Sequence, residues 1–486
     1  MKASITVNDN SAYEKIIKAF RTKIKGATTA DIAAETGLAL NTVKELAPKA
    51  ADEYSGRLEV TESGEILYSF PDGFTSRYRG AGAFVSRFTR GLIRFLARAG
   101  SLVFKVWIMV MLVGYFLLFM AIALASLFLS MAGSSSNSRS RRGGNLYFGM
   151  NIFNLIIRLW FYSEISKSMN PNAAYRKTRA KSKPLYKAIF SFVFGDEDPN
   201  ADWDTEMKKN FIAYLKQKRG VISLPEFMVI SGFSPDEAET AITGMCAEFG
   251  GSPEATEDGT VVYRFDEILL GSDTSKNQKE IPLVYKNQRP FSSNPEKMNW
   301  WFSVINGFNL VFGSFFLYNA ATLGHITASQ PRGIYWFVYA FLSGYTDPLP
   351  VITVGLGIVP IVFSFFFWLV PLLRRFFQNK KNNKIRFENF RKFSFSKIWN
   401  SPLAVRKNDL NPLYKEAGPV NLKEAQDLVL KEMGNYAIPE IVIDDNKEEI
   451  YAFADLEREK QALEKYRGAI DPDASSLGKT VFDSNA

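Results

Sequence analysis

The sequence predicts an α-helical polytopic membrane protein that carries small α+β modules on one side of the bilayer. A decapeptide, TESGEILYSF at Thr61–Phe70, recurs as TEDGTVVYRF at Thr256–Phe265 and, more loosely, as DDNKEEIYAF ending at Phe453. Apolar stretches of membrane length lie between successive copies, and basic and aromatic residues crowd their flanks. The expected order is module, membrane pair, module, membrane pair, module.

The first module covers 1–75. Ile16, Ile17, Phe20 and Ile24 recur at helical spacing, and Thr28 to Asp31 suits a helix start. Ala30–Thr36 reads as a short helix ended by Gly37. Asn41–Ala51 reads as a third helix that Pro48 should kink or end early. Arg57–Val60 and Glu65–Phe70 alternate as strands around Ser63 and Gly64. Three helices and a two-stranded wing make a winged-helix-like module.

The second module, 205–270, repeats the order: Glu206–Lys218, Leu224–Ile230, Gly232 in place of Gly37, Pro235–Phe249, and a wing turning at Asp258 and Gly259. A degenerate third module with a charged helix is expected over 415–468, keeping a helix at Leu422–Met433 and a strand at Glu449–Phe453. The tail, 469–486, is expected to be disordered.

A winged helix reads DNA through its third helix, with basic residues on phosphates. The third helix of the second module instead carries Asp236, Glu237, Glu239 and Glu248 and no Lys or Arg. Nucleic acid is disfavoured, and an unidentified protein partner is the expected ligand.

Between module and membrane, 76–100 forms a basic amphipathic linker, with Arg87, Arg90 and Arg94 on one helical face. In the first membrane pair, 101–170, Leu102–Ala132 is the strongest spanning stretch. Its companion Asn145–Ser166 contains Arg158 and Glu164 and either crosses or lies in the interface; crossing is favoured. Segments 171–204 and 271–298 are linkers.

The second pair, 299–375, opens with Trp300–Leu323, where Asn306 and Asn309 suit interhelical hydrogen bonds. Tyr335–Leu342 is too short to span and reads as re-entrant or interfacial, and Pro350–Leu373 is the last crossing. Over 376–414 and just before it, Arg374, Arg375, Lys380, Lys381 and Trp399 form a basic-aromatic collar expected to face anionic lipid headgroups. Four crossings place all modules and both termini in the cytoplasm. The expected location is a bacterial inner membrane.

Phe194–Asn200, FGDEDPN, follows the first pair. With the wing-like N-terminal module and the paired spans, it resembles an uncharacterised family of multi-pass membrane proteins from bacteria and plastid envelopes that carries an FGDxDPN motif. The likeness extends from Tyr68 to Phe265. It implies an inner-membrane protein and brings no site residue with it. Physically, Asp196, Glu197 and Asp198 form a tight acidic turn. Their oxygens suit a hard cation, but such a run more often stops a helix and makes an Asx turn.

The chain has 486 residues, a net charge of +9, one cysteine (Cys246) and one histidine (His325). One cysteine excludes an intrachain disulfide and a cysteine-held cluster; one histidine excludes a multi-histidine metal site. The N-terminus lacks the apolar core of a cleavable signal peptide. Phosphate-loop, dinucleotide, nucleophile-elbow and zinc-protease motifs are absent from the sequence. Neither an enzyme nor a cofactor is expected. The leading expectation is a membrane scaffold or adaptor, homo-oligomeric, whose modules bind protein. The alternatives are an oligomeric transporter or channel component built around Arg158, Asn306 and Asn309, and a membrane-tethered DNA-binding regulator.

Overall fold

The computed structural model describes residues 7–23, 26–71, 73–74, 96, 99–132, 183–271, 283–324, 333–412, 418–419, 421–443, 448–471 and 477–484. It divides into two compact units. One draws on Met1–Arg90, Glu197–Arg289 and Gln378–Ala486, the other on Gly91–Asp196 and Pro290–Phe377.

The first unit holds all three sequence repeats around one hydrophobic core. Repeat one runs through helices Val7–Thr22, Thr29–Thr36 and Leu40–Glu53, then strands Arg57–Thr61 and Ile66–Ser69. Thr28 and Asp31 close a reciprocal capping box at the second helix, as the sequence suggests. The third helix continues through Pro48, so of the expected kink or early end the early end does not occur. Its buried face of Leu46, Ala47, Ala50 and Ala51 packs into the core and offsets the lost hydrogen bond.

Repeat two consists of helices Trp203–Gln217, Leu224–Ser231 and Pro235–Phe249 with strands Val221–Ser223, Ser252–Ala255 and Val261–Arg264. Repeat three begins earlier than the sequence reading places it. The last part of the Val359–Asn400 helix is its first helix. Strand Val405–Arg406, a short turn of helix at Lys407–Leu410, helix Leu422–Tyr436 and strands Glu440–Ile443 and Glu449–Ala452 complete it.

The recurring decapeptide forms the same strand in each sheet. Tyr68 lies opposite Leu58, Tyr263 opposite Pro253, and Tyr451 opposite Ile441. The phenylalanine that ends each copy (Phe70, Phe265, Phe453) is fully buried. In the first two repeats it meets a phenylalanine of the first helix, with ring centres 4.9 Å apart for Phe20 and Phe70 and 5.3 Å for Phe211 and Phe265. The repeat is therefore conserved core chemistry within one chain: burying such rings supplies the main drive to fold modules this small.

The tail corrects the expectation of disorder. Thr480–Asp483 adds a third strand beside Arg57–Thr61, antiparallel, and Arg57 Nε donates to Asp483 Oδ1 at 2.8 Å. Edge backbone groups and one ion pair recruit this short segment into the sheet.

In the second unit, two buried apolar clusters join Ala99–Phe128, Leu185–Phe194, Glu296–Leu323, Ile334–Ser343 and the helix entered at Pro348. Among the described residues three helices are long and apolar enough to cross a membrane: Ala99–Phe128, Glu296–Leu323 and Pro348–Asn400. Only the part of the last one before Arg374 has a composition that suits lipid. Ile334–Ser343 has 10 residues, too few to cross a bilayer. The expected companion span Asn145–Ser166, with Arg158 and Glu164, lies outside the described residues. So do His325 and the linker arginines Arg87, Arg90 and Arg94.

Candidate functional site

The most organised chemistry in the first unit lies at the junctions between repeats. Gly37 and Gly232 end the short second helices of repeats one and two in the left-handed conformation, with φ of 67° and 75°. A Cβ on Gly37 would lie 2.9 Å from Thr205 O, and one on Gly232 3.0 Å from Glu388 O. In both cases the neighbour is backbone of the next repeat's first helix. One joint is used twice.

A buried carboxylate accompanies each joint. Asp31 and Glu226 are each the third residue of the short helix, exposed by 0% and 3%. Lys216 of repeat two reaches Asp31 Oδ1 at 3.3 Å. Arg467, on the helix Ala454–Ala469 that trails repeat three, donates to Glu226 Oε1 at 2.9 Å and to Val221 O at 2.6 Å. Burying a carboxylate costs several kcal/mol unless a cation and further hydrogen bonds meet it, so each pair fixes the register of one repeat on another.

The second joint is the more heavily charged. Arg391 Nη2 donates to Glu432 Oε1 at 2.8 Å, and Nη1 reaches Glu237 and Gly232 O at 3.2 Å each. Burial holds the Glu432 carboxyl above its usual range, and Arg391 opposes that shift only in part. Glu237 is held below the usual carboxylate range, first by the Ser234 backbone N–H that it caps. Lys392, 3% exposed, donates to Val284 O at 2.7 Å and sits 5.2 Å from the Trp203 ring. Lys286 lies 5.3 Å from the same ring and pairs with Glu388 at 2.6 Å.

These contacts redistribute the expected basic-aromatic collar. Trp399, assigned to the lipid surface from sequence, is 9% exposed and packs in the first unit's core with Phe390, Phe395 and Ile398. The physical reason is that this stretch is the first helix of repeat three, so its aromatic face meets protein. Arg375, Lys380 and Lys381 are exposed. Within the second unit Arg374 is half-buried: it donates to Phe291 O at 2.6 Å and Phe192 O at 2.7 Å, 4.3 Å from the Phe291 ring.

The acidic turn is occupied by protein. Within the second unit, Asp196 accepts from Lys183 Nζ at 2.6 Å, Ser191 Oγ at 2.9 Å and Ser293 N at 2.6 Å. Burial pushes its carboxyl up, but the hydrogen bonds from Lys183, Ser293 and Ser191 win and hold it at about 2. Within the first unit, Asp198 accepts from Arg289 Nε at 2.8 Å and from Asn200 N at 3.1 Å, the latter an Asx turn. Asn200 and the Asn287 backbone exchange two hydrogen bonds, of 2.7 and 2.8 Å. Glu197 is exposed. Among the described residues no group of three His, Cys, Asp or Glu side chains converges as a metal site.

Two amides on Glu296–Leu323 bind backbone. Asn306 Nδ2 donates to Ser364 O at 3.0 Å and Asn309 Nδ2 to Leu112 O at 2.8 Å; both residues are fully buried. Leu112 lies in a π-helical turn at Val110–Gly114, and a second such segment, Val351–Ile358, contains Gly355, whose carbonyl accepts from Tyr115 at 2.8 Å. A π turn disturbs the regular backbone ladder, and these donors add side-chain hydrogen bonds to carbonyls in the disturbed stretches.

The sequence reading missed the pairing of Asp31 and Glu226 with their cations. One signal was available: aligning the repeats on Gly37 and Gly232 sets an acid at the same helix position in both.

No protein-family model matches the chain, and no solved structure matches it. An uncharacterised chloroplastic protein of Arabidopsis thaliana is 26% identical over 416 residues, covering 79% of this chain and 72% of the relative. The chain is thus a distant homologue of a plastid protein, and the three long apolar helices among the described residues are consistent with an envelope-type membrane protein.

Proposed function

We propose that the chain is a multi-pass membrane scaffold whose three winged-helix-like modules form one docking platform for a protein partner. One observation carries this reading. Repeats separated in sequence by membrane-length helices share a single hydrophobic core and use the same joint in succession. Modules packed together must lie in one aqueous phase, so each intervening stretch crosses the bilayer an even number of times, and four crossings is the smallest set. Exposed Arg375, Lys380 and Lys381 at the end of the last apolar stretch favour the cytoplasmic side, or its stromal counterpart in a plastid envelope. Asp236 and Glu239 on the exposed face of the second module's third helix favour a protein partner over nucleic acid.

Two measurements test the reading. Single cysteines placed at Ser63, Glu257 and Glu448 in a Cys246→Ser background should all react with an impermeant reagent from the same side of sealed vesicles. Purification from native membranes in mild detergent should recover a stoichiometric protein companion. Labelling from opposite sides, or a bare chain, would count against the platform.

A further inference from the structure

The three homologous sheets differ in how they treat one edge. In each, the strand that leads into the decapeptide hairpin has one side that the hairpin leaves unclaimed: Arg57–Thr61, Ser252–Ala255 and Glu440–Ile443. An outer strand bears unpaired N–H and C=O groups and is a template for another strand unless it is covered or blunted. Repeat one covers its edge with the chain's own Thr480–Asp483. Repeat two blunts its edge with Pro253. Among the described residues, repeat three does neither. Its edge reads Glu-Ile-Val-Ile, with Ile441, Val442 and Ile443 exposed by 59%, 52% and 69%, and Ile438 just before it by 82%. Several apolar strand residues left this open side by side mark a surface made for contact.

Register says what fits. Arg57 lies opposite Ser69, and Glu440 opposite Ala452, so the two residues hold equivalent places beside the same repeat tyrosine. On repeat one, Arg57 fixes the incoming strand by pairing with Asp483. On repeat three an acid stands there, so a strand like the tail would be repelled and one bearing a cation drawn in. The same reversal works against self-association with the tail of a second copy.

We propose that the outer edge of Glu440–Ile443 is a strand-addition site for an extended apolar segment of a partner protein that carries lysine or arginine opposite Glu440. Main-chain hydrogen bonds supply affinity, Ile441 and Ile443 on one face and Val442 on the other supply apolar contact, and Glu440 supplies polarity and direction. This rests on the docking-platform reading and names where and what the platform binds.

The test uses the full chain in lipid nanodiscs and a fluorescein-labelled octapeptide that alternates valine with threonine and ends in lysine on both sides. A second peptide ends in glutamate instead. Fluorescence anisotropy should show the lysine peptide binding about tenfold more tightly than the glutamate one. Glu440→Arg should invert that order. Ile441→Pro, which copies repeat two's Pro253, should abolish binding while far-UV dichroism and melting stay unchanged. Should that variant lose its melting transition, Val442→Lys serves the same purpose on an exposed side chain. Absence of lysine-peptide binding to the wild type, equal binding to the blocked variants, or indifference to Glu440→Arg overturns the proposal. So does a fall in particle mass on blocking the edge, which would assign it to a second copy. Companions still recovered with Ile441→Pro would remove this edge while sparing the platform. Peptide binding without any native companion would do the converse.

Discussion

Asp31 and Glu226 occupy the same position in consecutive repeats, both buried, and each is met by a cation from elsewhere in the stack. A duplicated fold has therefore kept a duplicated ionic joint, although the acids differ and their partners, Lys216 and Arg467, come from different elements. Such pairs contribute little net stability over a well-packed apolar replacement, but breaking one leaves an uncompensated buried charge. Their value here is register: they select one stacking of three similar modules among several that apolar contact alone would permit.

Arg467→Met isolates that effect. The Arg467 side chain is 12% exposed and Glu226 3%, so removing the guanidinium strands a carboxylate in the core. The first unit should lose about 3–5 kcal/mol by denaturant unfolding in detergent. Adding Glu226→Leu should recover most of the loss, because the stranded charge goes with it. A double variant as weak as the single one would show that Arg467 acts through packing instead.

Glu459 predicts a pH dependence with a definite sign. Burial pushes its carboxyl up to about 7, opposed by the hydrogen bond from Tyr436, whose hydroxyl lies 2.9 Å away. The ordinary value is 4.5, so between 4.5 and 7 the folded chain binds more protons than the unfolded one. Stability contributed by this group is fully present below 4.5 and is lost as pH rises through 7, by up to about 3 kcal/mol. Denaturation midpoints at pH 5 and pH 8 should differ in that direction for the wild type. Glu459→Gln should remove this share of the difference, and an unchanged slope would refute the assignment.

The tail strand should be the first part of the sheet to open. Val481 and Phe482 are 70% and 60% exposed, so backbone pairing and the Arg57–Asp483 ion pair hold it without much apolar burial. Arg57→Asp should speed hydrogen exchange at edge amides such as Glu62, which donates to Lys479 O, by about tenfold. Asp483→Arg added to it should restore protection. Exchange that ignores both changes would mean that the ion pair contributes nothing.

How much of this was legible before the fold was known depended on whether a signal was local. The decapeptide located three sheets correctly because Tyr68, Tyr263 and Tyr451 sit at one register position set by hairpin geometry. Gly37 and Gly232 were readable as helix ends because a left-handed cap favours glycine. Trp399 was misread because its helix continues directly from an apolar span, and basic-aromatic composition looks alike whether the aromatic face meets lipid or a neighbouring repeat. The tail strand was missed because the residues that recruit it, Arg57 above all, lie more than four hundred positions away. The partners of Asp196 and Asp198 are equally non-local: Ser293 and Arg289 return from another part of the chain.

Asn306 and Asn309 separate a packing role from a conducting one. Asn309 donates to Leu112 O inside a π turn, where the regular ladder is interrupted and the surroundings are apolar. Asn309→Leu keeps the volume and removes the donor, so it should cost about 1 kcal/mol, the usual worth of an interhelical hydrogen bond in lipid. Asn306→Leu should cost a similar amount through Ser364 O. Asn306 and Asn309 stand three residues apart on one helix face, close enough to couple, so the double variant should depart from the sum of the two single losses. Unfolding in bicelles, followed by tryptophan emission, measures all three variants. If the amides lined a solute path instead, both replacements would alter ion or solute leakage from proteoliposomes at unchanged stability, and that result would transfer these residues from structure to transport.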